Sequence, residues 1–340
     1  MAETQETTIS LRWIIPFIRV TGTAPGDIAI LAREGIGIRD FVDPDTRVSH
    51  RVMMELLAST VARLGDPLLG LRAAERVEAG DFDVLEYAAR SCATVRDSIN
   101  CGSRYMYLMH GAQESRLIEQ GELATWELRI TDNVEQLPAA NDFALASATW
   151  FARRYTGERN VLREVHFRHA VATSASEYAR VFDGAQIKLG RPHNALVFTR
   201  AHLDTPMSLA HEGLKAAFEL HADAMLERLK RAVGIGGRVR QLLVEQLRAG
   251  DVSMTTVARR LAMSVATLRR RLGEENTSHS EILDDVRREL AERYLTDMTL
   301  AISEVAFLLG FSHVTAFYKA FRRWSQGTTP AEFRAQSQRA

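Results

Sequence analysis

Cysteine is scarce in this chain: two thiols, Cys92 and Cys101, in 340 residues. Two cannot build a disulfide framework or a four-thiolate metal site, and they fit a reducing compartment. Proline and glycine are few, at 8 and 21, which excludes a collagen-like or Pro/Gly low-complexity chain. Net charge is absent, with 43 basic and 43 acidic residues. Disorder goes with large net charge and low hydrophobicity, whereas 46% of this chain is hydrophobic and 25% charged. No long apolar run occurs either. The first, Trp13 to Val20, is broken by Pro16 and Arg19, far from the ~20 apolar residues of a spanning helix. The start, MAETQETT, lacks the basic region and apolar stretch of an export signal. The expectation is a cytoplasmic protein without a membrane partner.

Enzymatic signatures are missing too. There is no GxSxG, no Walker phosphate loop, no HExxH, and no GxGxxG after a strand. His166 and His169 lie three apart on an extended segment, so they face opposite sides and chelate poorly. His211, Glu212 and His221 read as solvated. A DNA-repair methyltransferase would need a cysteine-rich metal site that two thiols cannot supply. We therefore expect no catalytic residue, no metal and no cofactor.

What is present is a division. From Gly234 onward, 16 Lys and Arg stand against 12 Asp and Glu, a basic tail behind an acidic body that hints at an anionic partner. Gly234-Ile235-Gly236-Gly237 reads as a linker. Before it, residues 46–64 and 81–110 show helical spacing, with Val52, Leu56, Leu57 and Val61 as an apolar stripe and Asp81 as a candidate N-cap. Residues 124–131, 161–168 and 194–199 look extended, with helical segments near 138–155 and 174–182 among them. A long amphipathic helix over 208–231 carries Leu214, Phe218, Met225 and Leu229. That stripe either packs on its own domain or forms a helical dimer seam. Residues 1–233 thus read as an α+β domain. Residues 238–340 read as all-α, with short helices at 238–249, 254–262, 265–274, 279–296, 302–309 and 313–324, and a last one after Pro330.

The tail contains a repeat. Val257, Ala258, Leu261, Met263 and Ser264 recur as Val305, Ala306, Leu309, Phe311 and Ser312, at an offset of 48. The alanines are small where two helices cross. Met263 and Phe311 plug the corner. Ser264 and Ser312 are candidate N-caps for the next helix. Leu268 and Leu272, then Phe317 and Phe321, anchor that helix at i, i+4; the second copy is one residue longer before its anchors. A helix, a tight turn and a capped crossing helix make a helix-turn-helix, whose second helix enters the DNA major groove. Residues 279–296, if helical, span about 27 Å. Such a rod would set two recognition helices about one DNA turn, ~34 Å, apart.

On these residues the tail, about 238–336, resembles the DNA-binding domain of AraC/XylS-type bacterial transcription regulators. The stretch Ile302 to Ser312 carries most of the likeness, with Phe317, Phe321, Thr329-Pro330, Phe333 and Arg334, and with Arg287, Ala291 and Leu295 on the linking helix. Asn276 stands where the family usually has Gly, Ala316 where it is often bulkier, and Leu272 where Phe is common. Residues 1–230 resemble the N-terminal domain of the ornithine-regulator and VirS-like branch, through Gly65 to Leu71, Val165 to His169, Phe182, Gly184 and Leu203 to Pro206.

The exposed side of the first recognition helix offers Ala266, Thr267, Arg269 and Arg270; that of the second offers His313, Val314, Thr315, Tyr318 and Lys319. Arginine can bond guanine O6 and N7 bidentately, while Ala266 and Val314 can only meet a thymine methyl or fit shape. Alone, Arg269 to Arg271 would be a solvated charge run; just after an N-cap in a repeated motif, it reads as a DNA contact. The resemblance implies that Ala266, Arg269, Arg270, Val314, Thr315, Tyr318 and Lys319 line the groove. It also implies a small-molecule effector in the first domain, contact with RNA polymerase and homodimerisation. The alternative is a first domain that only binds protein. Trp126, Phe143, Trp150, Phe151, Tyr155 and Phe167 are core or pocket aromatics, and no effector residue is assigned.

Overall fold

The computed structural model describes residues 7–37, 40–41, 43, 45–170, 174–249, 251–296 and 300–337. The chain forms two compact units, Met1–Leu226 and Glu227–Ala340.

The first unit is α+β. It runs β1 (Thr8–Ser10), α1 (Ile15–Thr21), α2 (Pro25–Ala32), β2 (Arg47–Ser49), α3 (His50–Leu64), α4 (Leu69–Ala74), α5 (Asp83–Arg90) and α6 (Val95–Met109). It continues with β3 (Gln113–Gln120), β4 (Leu123–Ile130), α7 (Pro138–Thr156), β5 (Leu162–His166), α8 (Ala175–Val181), β6 (Gln186–Lys188), β7 (Asn194–Thr199) and the greater part of α9 (Glu212–Val233). Five strands form one sheet in the order β3-β4-β7-β5-β6, with only β5 and β6 parallel. Its middle strand β7 is buried from Asn194 to Phe198. A small sheet pairs β1 with β2. Arg47 holds it to α6 by donating to the carbonyls of Thr8 (2.8 Å) and Leu108; burial pushes this guanidinium down to about 10. Gly70 lets α4 meet the start of α7, because a Cβ there would sit 2.0 Å from the Ala139 carbonyl oxygen.

Several expectations shift. The helical stretch 81–110 is two helices, since Thr94 takes extended backbone and caps α6 by accepting from Asp97 N–H at 3.2 Å. Asp81 is not an N-cap. Its carboxylate accepts from Glu78 N–H (2.7 Å) and pairs with Arg19 (2.7 Å) instead. The stretch 46–64 opens with β2, and Ser49 caps α3 by accepting from Val52 N–H at 3.2 Å. On the long helix, now α9, Phe218 stacks on Tyr87 at 5.3 Å and Asp223 accepts from Tyr105 Oη at 2.9 Å, so this face packs on its own unit. Leu214 and Leu220 stay exposed.

The second unit is all helical: α10 (Ile235–Ala249), α11 (Met254–Arg260), α12 (Val265–Glu274), α13 (His279–Thr296), α14 (Ile302–Leu308), α15 (Val314–Trp324) and α16 (Pro330–Ser337). The glycine-rich stretch differs from the expected linker. Gly234 alone lies outside a helix, and 235–237 form the first turn of α10. Glu275 explains why: its carboxylate accepts from Ile235 N–H at 2.7 Å and Gly236 N–H at 2.9 Å. It thereby satisfies orphan donors and favours the positive end of the helix. The compact units divide within α9 rather than at Gly234.

Candidate nucleic-acid interface and ligand cavity

The repeat in the sequence is a repeat in backbone bonds. In the first motif, Leu261 N–H bonds Val257 O, Ala262 N–H bonds Arg259 O, and Met263 N–H bonds Ala258 O, at 2.9–3.0 Å. In the second, Leu309, Gly310 and Phe311 make the equivalent bonds to Val305, Phe307 and Ala306 at 2.9–3.1 Å. Both turns need a left-handed residue, Ala262 at φ 54° and Gly310 at φ 70°. Ala258 and Ala306 are buried at the crossings. Asn276 also takes φ 53°, as asparagine tolerates.

The capping differs between copies. Ser264 caps α12 by accepting from Thr267 N–H at 3.1 Å. Ser312 does not cap α15. The additional residue makes His313 the N-cap, in extended backbone and without a side-chain cap bond. With Leu268 and Leu272 buried beside Phe317 and Phe321, the helices superpose by sequence as Ala266 with Thr315, Arg269 with Tyr318, and Arg270 with Lys319.

The outer faces are open. Ala266, Arg269, Arg270, His313, Val314, Thr315 and Lys319 are exposed. Thr267 is half-buried, and its hydroxyl shares a 2.8 Å bond with Ser264. Tyr318 is half-buried with its ring edge to Phe317. Arg270 pairs with Glu274 one turn on. Arg269 has no acceptor among the described residues.

Helix α13 carries both motifs. Ile282 and Val286 on its first half belong to the core of α10, α11 and α12. Ala291 and Leu295 on its second half belong to the core of α14 and α15. Leu290 touches both. Arg287 fixes the second turn by donating to Leu309 O at 2.9 Å and Gly310 O at 3.2 Å, with its guanidinium 4.5 Å over the Phe311 ring. Burial lowers its pKa from the ordinary arginine value. Arg323 on α15 pairs with Asp284, and Arg334 on α16 donates to Leu295 O at 3.1 Å.

The first unit holds a cavity of about 210 Å³ between α5, α6, α7 and the strands β4 and β7. Of the aromatics singled out in the sequence, Trp126, Phe143 and Phe151 line it. Phe167 packs elsewhere, edge-on to Tyr178. Tyr155 donates to Glu86 at 2.6 Å. The signal missed in the sequence is Ala144, Ala148 and Ala152, which recur every four residues on α7 and leave space where larger side chains would fill it. Of the histidines considered for a metal, His166 meets Glu164 at 2.7 Å, while His169 lies 3.7 Å from Asp142 and its Nδ1 has no hydrogen-bond partner among the described residues.

Two helix-turn-helix units on one shared helix, each with the outer face of its second helix open, define a DNA-binding transcription regulator. Residues 27–207 match the family model described as the arabinose-binding domain of AraC transcription regulator, N-terminal, and residues 257–336 match a helix-turn-helix domain. The chain belongs to the AraC family of transcription regulators. It is 33% identical over 296 residues to the ornithine utilization regulator of Pseudomonas aeruginosa, covering 86% of this chain and 85% of that protein. It is 28% identical over 304 residues to the regulator VirS of Mycobacterium tuberculosis, at 86% and 85% coverage. The crystal structure of CdpR from Pseudomonas aeruginosa aligns over 90% of this chain and 96% of its own, at 22% identity and TM-score 0.46. These relatives are regulators, a non-enzymatic class. Among the described residues, no helix is long and apolar enough to cross a membrane.

Proposed function

We propose that α12 and α15 enter adjacent major grooves of one duplex, and that a small molecule in the first unit controls the regulator. Arg269, Arg270 and Lys319 are the principal side chains toward DNA, with Ala266, Thr315, Val314, His313 and Tyr318 shaping the contact. Thr267 serves mainly to hold the α12 cap with Ser264. The observation that carries this reading is the shared rod: both motifs are built on α13, about 27 Å long by its rise per residue, close to the ~34 Å of one DNA turn.

One relative is named for ornithine utilization and the matched N-terminal model for arabinose binding, so a small metabolite is the kind of effector carried over to this chain. Its binding would favour a DNA-competent population of the chain, with RNA polymerase and a second copy of the regulator as protein partners in the cytoplasm. The test is a titration of the full chain on chromosomal fragments recovered with it. Arg269→Ala and Arg270→Ala should both weaken specific binding. Unchanged binding by both would overturn the assignment.

A further inference from the structure

We infer that the cavity in the first unit takes an uncharged, largely apolar molecule of single-ring size. This deepens the effector reading above and rests on it. Size comes first. A dry cavity of about 150 Å³ holds benzene, so 210 Å³ admits one ring with a short substituent.

The lining sets the polarity. Partly exposed apolar side chains face the space, among them Phe82, Ile99, Met106 and Leu162. The charged groups around it are already engaged. Glu86 accepts from Tyr155 Oη (2.6 Å) and Gly80 N–H (2.8 Å). Arg153 pairs with Asp183 at 2.8 Å and donates to Val181 O at 2.7 Å. Glu158 meets His202 at 2.6 Å. Of the lining groups only Arg159 is an exposed cation, and benzoate in the experiment below tests it as an anion partner. A charged or polyhydroxylated guest would lose its water and find too few partners.

Trp126 adds to the apolar lining, with its indole Nε1–H buried away from the space, and Ser98 on α6 adds a hydroxyl.

The experiment uses the full chain and two single-ring probes, acetophenone and ethylbenzene. Arabinose, ornithine and benzoate are run beside them, by calorimetry and thermal shift. We expect acetophenone and ethylbenzene both to bind, and arabinose, ornithine and benzoate not to. Ala148→Leu and, separately, Ala152→Leu should abolish both, with the unliganded melting profile reporting that each variant folds. Binding of arabinose, ornithine or benzoate that the two leucine variants abolish, without acetophenone binding, overturns the apolar class but leaves the effector reading standing. No binding by any probe overturns the cavity as an apolar site. A thermal shift with small-molecule cell extract then decides the effector reading separately.

Discussion

Arg269 and Arg270 are neighbours, yet the structure gives them different costs of engagement. Arg269 is exposed and, among the described residues, has no acceptor to give up. A bidentate arginine–guanine contact is worth about 1–3 kcal/mol of discrimination, so Arg269→Ala should cost about 5- to 150-fold in specific affinity. Arg270 starts from an exposed pair with Glu274, and breaking such a pair costs about 0.3–0.5 kcal/mol. Arg270→Ala should therefore lose less than Arg269→Ala by about that amount. Glu274→Gln should strengthen binding about two- to threefold, because it frees Arg270 and removes an anion near phosphate. Fluorescence anisotropy at fixed salt, on the recovered fragment and on a scrambled duplex, measures all three. The reasoning fails if Arg269→Ala leaves the ratio of specific to scrambled binding unchanged, or if Glu274→Gln weakens binding.

Lys319→Ala should reduce the slope of log K against log salt by about 1 if Lys319 meets a phosphate; an unchanged slope moves it off the backbone. The two turns provide a matched stability pair. Ala262 is left-handed where the second copy has Gly310, so Ala262→Gly should stabilise by about 0.5–1 kcal/mol and Gly310→Ala destabilise by about 1 kcal/mol, read from denaturant midpoints. A third prediction concerns Asp142, whose carboxyl burial pushes up to about 7. The folded state then holds a proton that the unfolded chain releases near pH 4, so this group costs stability as pH rises toward 7 and carries its full penalty above it. His110, buried and pushed down to about 3, has the opposite slope below its unfolded value near 6.5, so the wild-type profile alone hides both. The comparison with Asp142→Asn isolates the first: the variant should gain on wild type from pH 4 to 7 and level off beyond, and a flat difference would refute the shift.

Much of the second unit was legible because its determinants are local. The turn bonds run from Leu261 to Val257 and from Met263 to Ala258, within the reach of a spacing argument. Ser312 defeated that argument because the additional residue carries the N-cap on to His313. The first unit was less legible. Strand β3 was missed because Gln113–Gln120 is a polar edge strand whose alternation lacks an apolar face. Strand β7 showed as an apolar run because it lies at the middle of the sheet.

The sequence by itself determined the class of the protein: two helix-turn-helix motifs, a helix between them, and the side chains on their outer faces. Those features depend on residues a few places apart, where helical periodicity and turn chemistry act. Only the tertiary structure decided which groups remain unsatisfied or free. The Trp126 N–H is buried without a hydrogen-bond partner among the described residues. The second turn is held by Arg287, 22 residues before Leu309. The start of α10 is held by Glu275, 40 residues after Ile235. Those outcomes follow from which distant segments are brought into contact, and no local spacing encodes that.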